Sequence, residues 1–226
     1  MGELSGRGRR EPDVVREYTR LAPSYDVRWA RFNAESTRET LARLTLAPDE
    51  RLLDVGCGTG ELLAALARTH PPALLEGVDP VPAMLAVARR KLPATVELRQ
   101  AWAERLPHPA GAFAVVVSCN AFHYMEEPER ALAEVARVLA RPGRLVLTDW
   151  CADFLACRLC DVALRWLHRA NRKVYRGSEV AHFLSAAGFR DVTVERYKIG
   201  WPWGLLTARA RLTGGEAAPM LPDEVR

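Results

Sequence analysis

The stretch Leu52-Leu53-Asp54-Val55-Gly56-Cys57-Gly58-Thr59-Gly60 decides how this 226-residue chain is read. Two leucines lead into an acid, and glycines then alternate at positions 56, 58 and 60. From Glu61 to Arg68 the spacing of Leu62, Leu63 and Leu66 predicts a helix. The glycines therefore fall where a buried strand turns into a helix. A side chain at such a turn holds a ligand away from the backbone, whereas glycine lets it approach and tolerates positive φ. The helix that follows offers unpaired N–H groups and a partial positive end, which suits a nucleotide-like ligand or a carboxylate.

Spacing separates the families that use such a turn. A dinucleotide fold needs Gly-x-Gly-x-x-Gly, and here the third glycine comes one residue early. A phosphate loop ends in Gly-Lys-Ser/Thr, but Gly60 is followed by Glu61, whose charge repels phosphate. The run Asp-x-Gly-x-Gly-x-Gly resembles the first motif of the class I S-adenosylmethionine-dependent methyltransferases. That motif is specific when a second acid ends the next strand, and the run ALLEGVD at 73–79 places Asp79 19 residues beyond Gly60. The resemblance implies a Rossmann-like α/β fold: a seven-stranded, mostly parallel sheet with an antiparallel last strand and helices on both faces. It also implies S-adenosyl-L-methionine as cofactor.

Composition allows one α/β domain of this kind. The hydrophobic fraction of 49% and charged fraction of 27% are those of an ordinary globular chain. The net charge of +4 is modest, and Arg7, Arg9 and Arg10 at the start account for much of it. No basic stripe interleaved with aromatics occurs, so nucleic acid is not the expected partner. No long apolar run and no signal peptide is found, which predicts a soluble, cytoplasmic protein without stable membrane insertion. Five cysteines with no scaffold-like spacing argue against a disulfide framework.

Along the chain, 1–11 reads as a disordered leader, 12–212 as a single domain and 213–226 as a flexible tail. Within the domain, 12–46 holds N-terminal helices, 47–150 the cofactor-binding core, and 151–212 acceptor-side helices and a hairpin. Asp13 to Arg31 carries helical apolar spacing, interrupted at Ala22-Pro23-Ser24, and Asn33–Leu44 reads as another helix. Strands are expected at Ala73–Val78, from Thr95, at Phe113–Cys119 and at Arg144–Asp149. Helices are expected at Pro82–Lys91 and Pro128–Ala140, a βαβ rhythm that implies a parallel, doubly wound sheet. Further on, Phe154–Ala170 and Ser178–Ala187 read as helices, the second capped by Gly188. Val192–Ile199 and Leu205–Leu212 alternate as an antiparallel pair around Gly200-Trp-Pro-Trp-Gly204.

The site residues follow from the motif. Backbone at Gly56, Cys57, Gly58 and Gly60 is placed to approach the cofactor, with Asp54 supporting the turn and facing the ammonium end. Asp79 is placed to accept both ribose hydroxyls, as an acid does in the nicotinamide fold; a helix N-cap is its structural alternative. Pro80 and Met84 are expected to wall the adenine. After strand three the family usually writes Gly-Asp-Ala-Glu-x-Leu-Pro, whereas this chain has Ala101-Trp102-Ala103-Glu104-Arg105-Leu106-Pro107. Trp102 then either walls the adenine beside the Ala103 backbone or packs in the core. The usual Phe-Asp of strand four is Phe113-Ala114.

After strand four comes Cys119-Asn120-Ala121-Phe122-His123-Tyr124. Ligands bind beyond the carboxyl ends of parallel strands where strand order reverses. Asn120 is expected near the methionine half of the cofactor and His123 near the transferred methyl, as a general base or as a residue that orients the loop. The run Tyr18…Ala22-Pro23-x-Tyr25-Asp26 resembles the segment that lies as a lid across the cofactor in ubiquinone/menaquinone-type methyltransferases; an amphipathic helix packing on its tyrosines is the alternative. Trp150, Phe154, Trp166, Tyr197, Trp201 and Trp203 gather aromatics in the third that commonly covers the acceptor, with Trp150 a candidate substrate contact.

Function is therefore expected to be methyl transfer to a small-molecule acceptor, small or lipophilic, through a carbon, oxygen, nitrogen or sulfur nucleophile. Two alternatives stand beside it. Cys119, Cys151, Cys157 and Cys160 could hold a thiol or metalloid substrate next to the same fold, or serve as small core residues. The departures at Trp102 and Ala114 leave open a non-catalytic S-adenosylmethionine-binding protein.

Overall fold

A computed structural model describes residues 13–158, 173–200 and 203–214. The leader, residues 159–172 of the helix predicted at Phe154–Ala170 (with Cys160 and Trp166), Trp201 and most of the tail lie outside the described residues. Seven strands form one sheet: β1 (Leu52–Val55), β2 (Leu75–Asp79), β3 (Glu97–Gln100), β4 (Phe113–Cys119), β5 (Leu139–Trp150), β6 (Arg190–Lys198) and β7 (Gly204–Leu212). Their order is β3-β2-β1-β4-β5-β7-β6. The pairs among β1 to β5 are parallel, while β7 runs antiparallel to both β5 and β6. The antiparallel last strand is thus inserted between β5 and the edge strand β6.

β1, β2 and β4 are buried along almost their whole length, as strands covered on both faces must be. One face packs Leu53, Val116, Phe113 and Leu145 with α5 (Pro128–Val138) and α6 (Gly177–Ala186). The other packs Leu52, Val115 and Val117 with α3 (Glu61–Leu66) and α4 (Pro82–Lys91). Strand order reverses between β1 and β4, so a crevice opens beyond their carboxyl ends.

Four boundaries differ from expectation. α1 (Asp13–Leu21) ends at the Ala22-Pro23-Ser24 turn as predicted, but α2 runs unbroken from Tyr25 to Ala42 instead of restarting at Asn33. Its inward stripe is Asn33, Ser36, Thr37 and Thr40, all buried and all polar, so an apolar periodicity cannot see it. Hydroxyls make the contact. Thr40 Oγ1 donates to the Ser36 carbonyl at 2.7 Å and lies 2.9 Å from Thr148 Oγ1. The chain continues to Thr207 Oγ1 at 2.8 Å and to Tyr197 Oη at 2.7 Å. Elsewhere β5 starts at Leu139, directly after α5, because Leu139 already pairs with Phe113 of β4. β2 begins only at Leu75, after a single 3₁₀ turn at Pro72–Leu74, and β3 at Glu97.

Candidate active site

The glycine turn hangs from the end of β2. Gly56 and Cys57 N–H both donate to the Val78 carbonyl, at 2.8 and 3.0 Å. Gly56 sits at φ 78° and a Cβ there would lie 2.3 Å from that of Ala121, so the turn and the loop after β4 touch through a missing side chain. A cleft of about 1000 Å³ opens over this turn. Asp54, Gly56, Cys57 and Gly58 line its floor, and Asp79, Pro80 and Met84 its β2 side. Trp102, Ala103 and Asn120 also face it. Gly60 does not: its φ of 77° lets the chain enter α3, and a Cβ would lie 2.9 Å from Leu92 Cδ1 and 3.2 Å from Ala88 Cβ. The third glycine is thus a turn and packing residue, which corrects its expected contact with the cofactor.

Two buried acids give the cleft its electrostatics. Asp79 accepts the Gly58 N–H on Oδ2 and the Val81 N–H on Oδ1, both at 2.9 Å. Burial lifts its carboxyl to about pH 6 against the pull of those two donors. Each oxygen keeps a further lone pair, so the acid holds the turn and still has acceptor capacity for a diol. Asp54 is 2% exposed, and burial followed by the Asp79 charge pushes it to about 8. Its Oδ1 and the Oδ1 of Asn120 have no hydrogen-bond partner among the described residues. Buried acceptors are seldom left unpaired. A ligand carrying an ammonium, a diol and a flat base supplies the donors these atoms lack, and S-adenosylmethionine is such a ligand; the residues fit it.

The first two helices roof the cleft. Tyr18 and Tyr25 line it, and with Trp102 and Met84 they join a cluster around Val14 and Val81. Trp102 therefore walls the cleft and packs at once, so the two readings of it merge. Asp26, next to Tyr25, accepts Thr59 Oγ1 at 2.6 Å and Lys91 Nζ at 2.8 Å, which pins the start of α2 to the glycine turn. Asn33, Ser36 and Thr37 of α2 line the cleft too; Asn120 Nδ2 donates to Ser36 Oγ at 2.8 Å. No apolar pattern pointed to these three, although their spacing of three and four residues is the trace of a polar helix face.

His123 and Trp150 line a second cavity of about 800 Å³. Tyr18, Tyr25, Asn120 and Tyr124 border both cavities, and Tyr18 Oη donates to Tyr124 Oη at 2.7 Å across that shared wall. Asp149, at the end of β5, clamps His123 twice: Oδ1 lies 2.6 Å from Nδ1 and Oδ2 accepts the His123 N–H at 2.9 Å. The Trp150 N–H also donates to Oδ1 at 2.6 Å. With Nδ1–H committed to a carboxylate, Nε2 is the imidazole atom left with a lone pair. Sequence reading missed Asp149; an acid at a strand tip just before a proposed substrate residue was the available signal.

Among the described residues the cysteine thiols meet separate hydrogen-bonding or packing partners. Cys119 Sγ meets Thr40 Oγ1 at 3.3 Å, Cys151 Sγ meets Asp153 Oδ2 at 3.6 Å, and Cys157 Sγ accepts the Gly204 N–H at 3.1 Å. Cys57 Sγ packs against Gly77, whose Cβ would lie 2.8 Å from it. Among the described residues no group of three His, Cys, Asp or Glu side chains could hold a metal. No described helix is long and apolar enough to cross a membrane.

Known proteins share the family and the fold. Residues 53–147 match the family described as Methyltransferase domain. The chain is 39% identical to a demethylmenaquinone methyltransferase of Thermus thermophilus over 141 residues, 59% of this chain and 64% of that protein. It is 32% identical to the O-methyltransferase cnsE of Penicillium expansum over 192 residues, 82% of this chain and 69% of that one. The chain thus spans about two thirds of the length of these relatives. Its fold superposes with a TM-score of 0.77 on a chain of the complex between the Haloferax volcanii Trm112 methyltransferase activator and a methyltransferase, at 19% identity, covering 87% of this chain and 98% of that one.

Proposed function

Because the chain belongs to the S-adenosylmethionine-dependent methyltransferases, we propose that it transfers the methyl group to a small, lipophilic acceptor held in the second cavity, with His123 as general base. The first cavity holds the cofactor, which supplies an activated methyl on a sulfonium. Asp54 and Asn120 offer acceptors to its ammonium end, Asp79 to the ribose diol, and Trp102, Pro80 and Met84 an apolar wall to the adenine. The observation that carries the reading is the shared wall of Tyr18, Tyr25, Asn120 and Tyr124, with a His–Asp pair on its far side.

Methyl transfer asks the protein chiefly for alignment and exclusion of water. The aromatic wall does both. Asp149 holds Nδ1 of His123, which leaves Nε2 as the atom that takes the acceptor's proton. The Tyr18–Tyr124 bond ties α1 across the cavities, in keeping with a lid. Among relatives, one name specifies demethylmenaquinone as acceptor and another specifies oxygen as the methylated atom; a ring-sized apolar acceptor is compatible with both. Calorimetry with S-adenosylhomocysteine followed by turnover on a panel of quinols, phenols, amines and thiols tests the proposal. Binding with turnover that fails in His123→Gln supports it; binding without any turnover favours a non-catalytic cofactor-binding protein instead.

A further inference from the structure

The first cavity is lined by acids without a cation to answer them. Asp54, Glu61, Asp79 and Glu104 face it, and among the described residues no Lys, Arg or His does. Glu61 has Lys91 Nζ at 3.4 Å, whereas Asp79 and Glu104 accept only backbone N–H groups, Glu104 those of Glu126 and Glu127 at 3.1 and 3.5 Å. S-adenosylmethionine brings an ammonium and a sulfonium to this lining, but also a carboxylate, which finds no counter-ion. The glycine turn does not serve that carboxylate with the N–H groups of Gly56, Cys57, Gly58 and Gly60. These donate to the Val78 carbonyl, to Asp79 and to the Cys57 carbonyl.

Donors remain on α2. Thr37 is 8% exposed and lines the cavity, and its hydroxyl has no hydrogen-bond partner among the described residues. Asn33, one turn earlier, is buried beside it; its amide hydrogen-bonds the Tyr25 hydroxyl and keeps a second N–H. Ser36 lies on the same stripe, but its proton goes to the Asn33 carbonyl at 3.2 Å. Because Ser36 also accepts Asn120 Nδ2, the stripe stands at the Asn120 end of the cavity, where the ammonium is assigned. Ammonium and carboxylate share one carbon, so their receivers must be neighbours.

Resting on the reading above, we propose that the donor site selects for net positive charge. The Asn33 amide and the Thr37 hydroxyl take the carboxylate as neutral donors, the acids keep their full pull on the sulfonium, and the donor binds more tightly than S-adenosylhomocysteine, whose sulfur is uncharged. Neutral donors offset the carboxylate's loss of water without adding positive potential. A Lys or Arg in their place would cancel part of the field of Asp54 and Asp79. Burial pushes these two carboxyls up to about 8 and about 6, so each gains when positive charge arrives beside it. The site therefore gives up its product in favour of the next donor molecule.

The test titrates the whole chain by calorimetry with three probes at neutral pH: S-adenosylmethionine, S-adenosylhomocysteine and decarboxylated S-adenosylmethionine, which keeps both cationic groups and lacks the carboxylate. The donor is expected to bind about tenfold more tightly than S-adenosylhomocysteine, the effect of one extra charge near partly shielded carboxylates. Thr37→Val is expected to weaken S-adenosylmethionine and S-adenosylhomocysteine about tenfold each, as loss of a hydrogen bond to a charged group does, and to leave the decarboxylated probe within about twofold. Thr37→Ser keeps the hydroxyl and restores the parent's affinities. S-adenosylhomocysteine binding as tightly as the donor, or more tightly, overturns the proposal. So does a Thr37→Val variant that weakens the donor and the decarboxylated probe alike, or neither of them. Failure of all three probes to bind the parent overturns the cofactor assignment itself and is a different result.

Discussion

The first cavity is floored by a backbone turn and two buried acids, while the second is walled by side chains drawn from α1, α2, the loop after β4 and the tip of β5. The floor of the first is local: Asp54 to Gly58 and Asp79 to Met84 are two short runs at neighbouring strand ends, and α1, α2, Trp102 and Asn120 close over them. The second exists only once four distant segments meet. The polar stripe of α2 and the Tyr18–Tyr124 contact join the two. A site made of backbone and strand-tip acids tolerates little substitution, because its ligand touches the main chain. A site made of aromatic side chains on helices is free to change its acceptor without disturbing the donor.

If that division holds, variants in the two cavities separate cleanly. The largest effect belongs to Gly56→Val, which places carbon where only 2.3 Å separates Cβ from Ala121 and keeps a β-branched residue at positive φ. Overpacking alone costs about 1–3 kcal/mol, and calorimetry should find no measurable S-adenosylhomocysteine binding by the folded fraction. His123→Gln should lower kcat by about 10²–10⁴ while leaving the donor affinity within about twofold. A loss of donor affinity comparable to that of Gly56→Val would contradict the separation.

Asp149→Asn sharpens the comparison, because it touches neither ligand. It should reduce kcat by on the order of 100-fold with KM and donor affinity little changed, since an amide no longer fixes which ring nitrogen of His123 carries the proton. A kcat within about twofold of the parent's would reduce Asp149 to a structural role. The smallest effect concerns stability. In the protein alone Asp54 has its carboxyl raised to about 8, above the ordinary 3.8. The stability linked to its protonated form is complete below about pH 4 and is lost as pH rises towards 8. Thermal melts should therefore fall between pH 5 and 8 in the parent, and less steeply in Asp54→Asn, which should melt a few degrees higher at pH 8 and bind the donor more weakly.

What was legible in the sequence follows the same line. The turn, Asp79 and the run FAVVVSC of β4 announce themselves by spacing and continuous apolar character, and the structure keeps their positions. The antiparallel pair at the end was readable from alternation around Gly200 and Gly204. Motif spacing puts Gly60 at the cofactor because it does not distinguish a glycine that faces a ligand from one that faces Leu92. Apolar periodicity splits α2 because the helix's buried face is made of Asn33, Ser36, Thr37 and Thr40. Asp149 is silent in the sequence because the residue it serves lies 26 positions earlier, a pairing that only the register of β4 beside β5 creates.

The most direct measurement is calorimetric titration of S-adenosylhomocysteine into the parent chain, His123→Gln and Asp79→Ala. The account predicts matching affinities for the first two and loss of binding in the third. No binding by the parent, or equal losses in His123→Gln and Asp79→Ala, would contradict it.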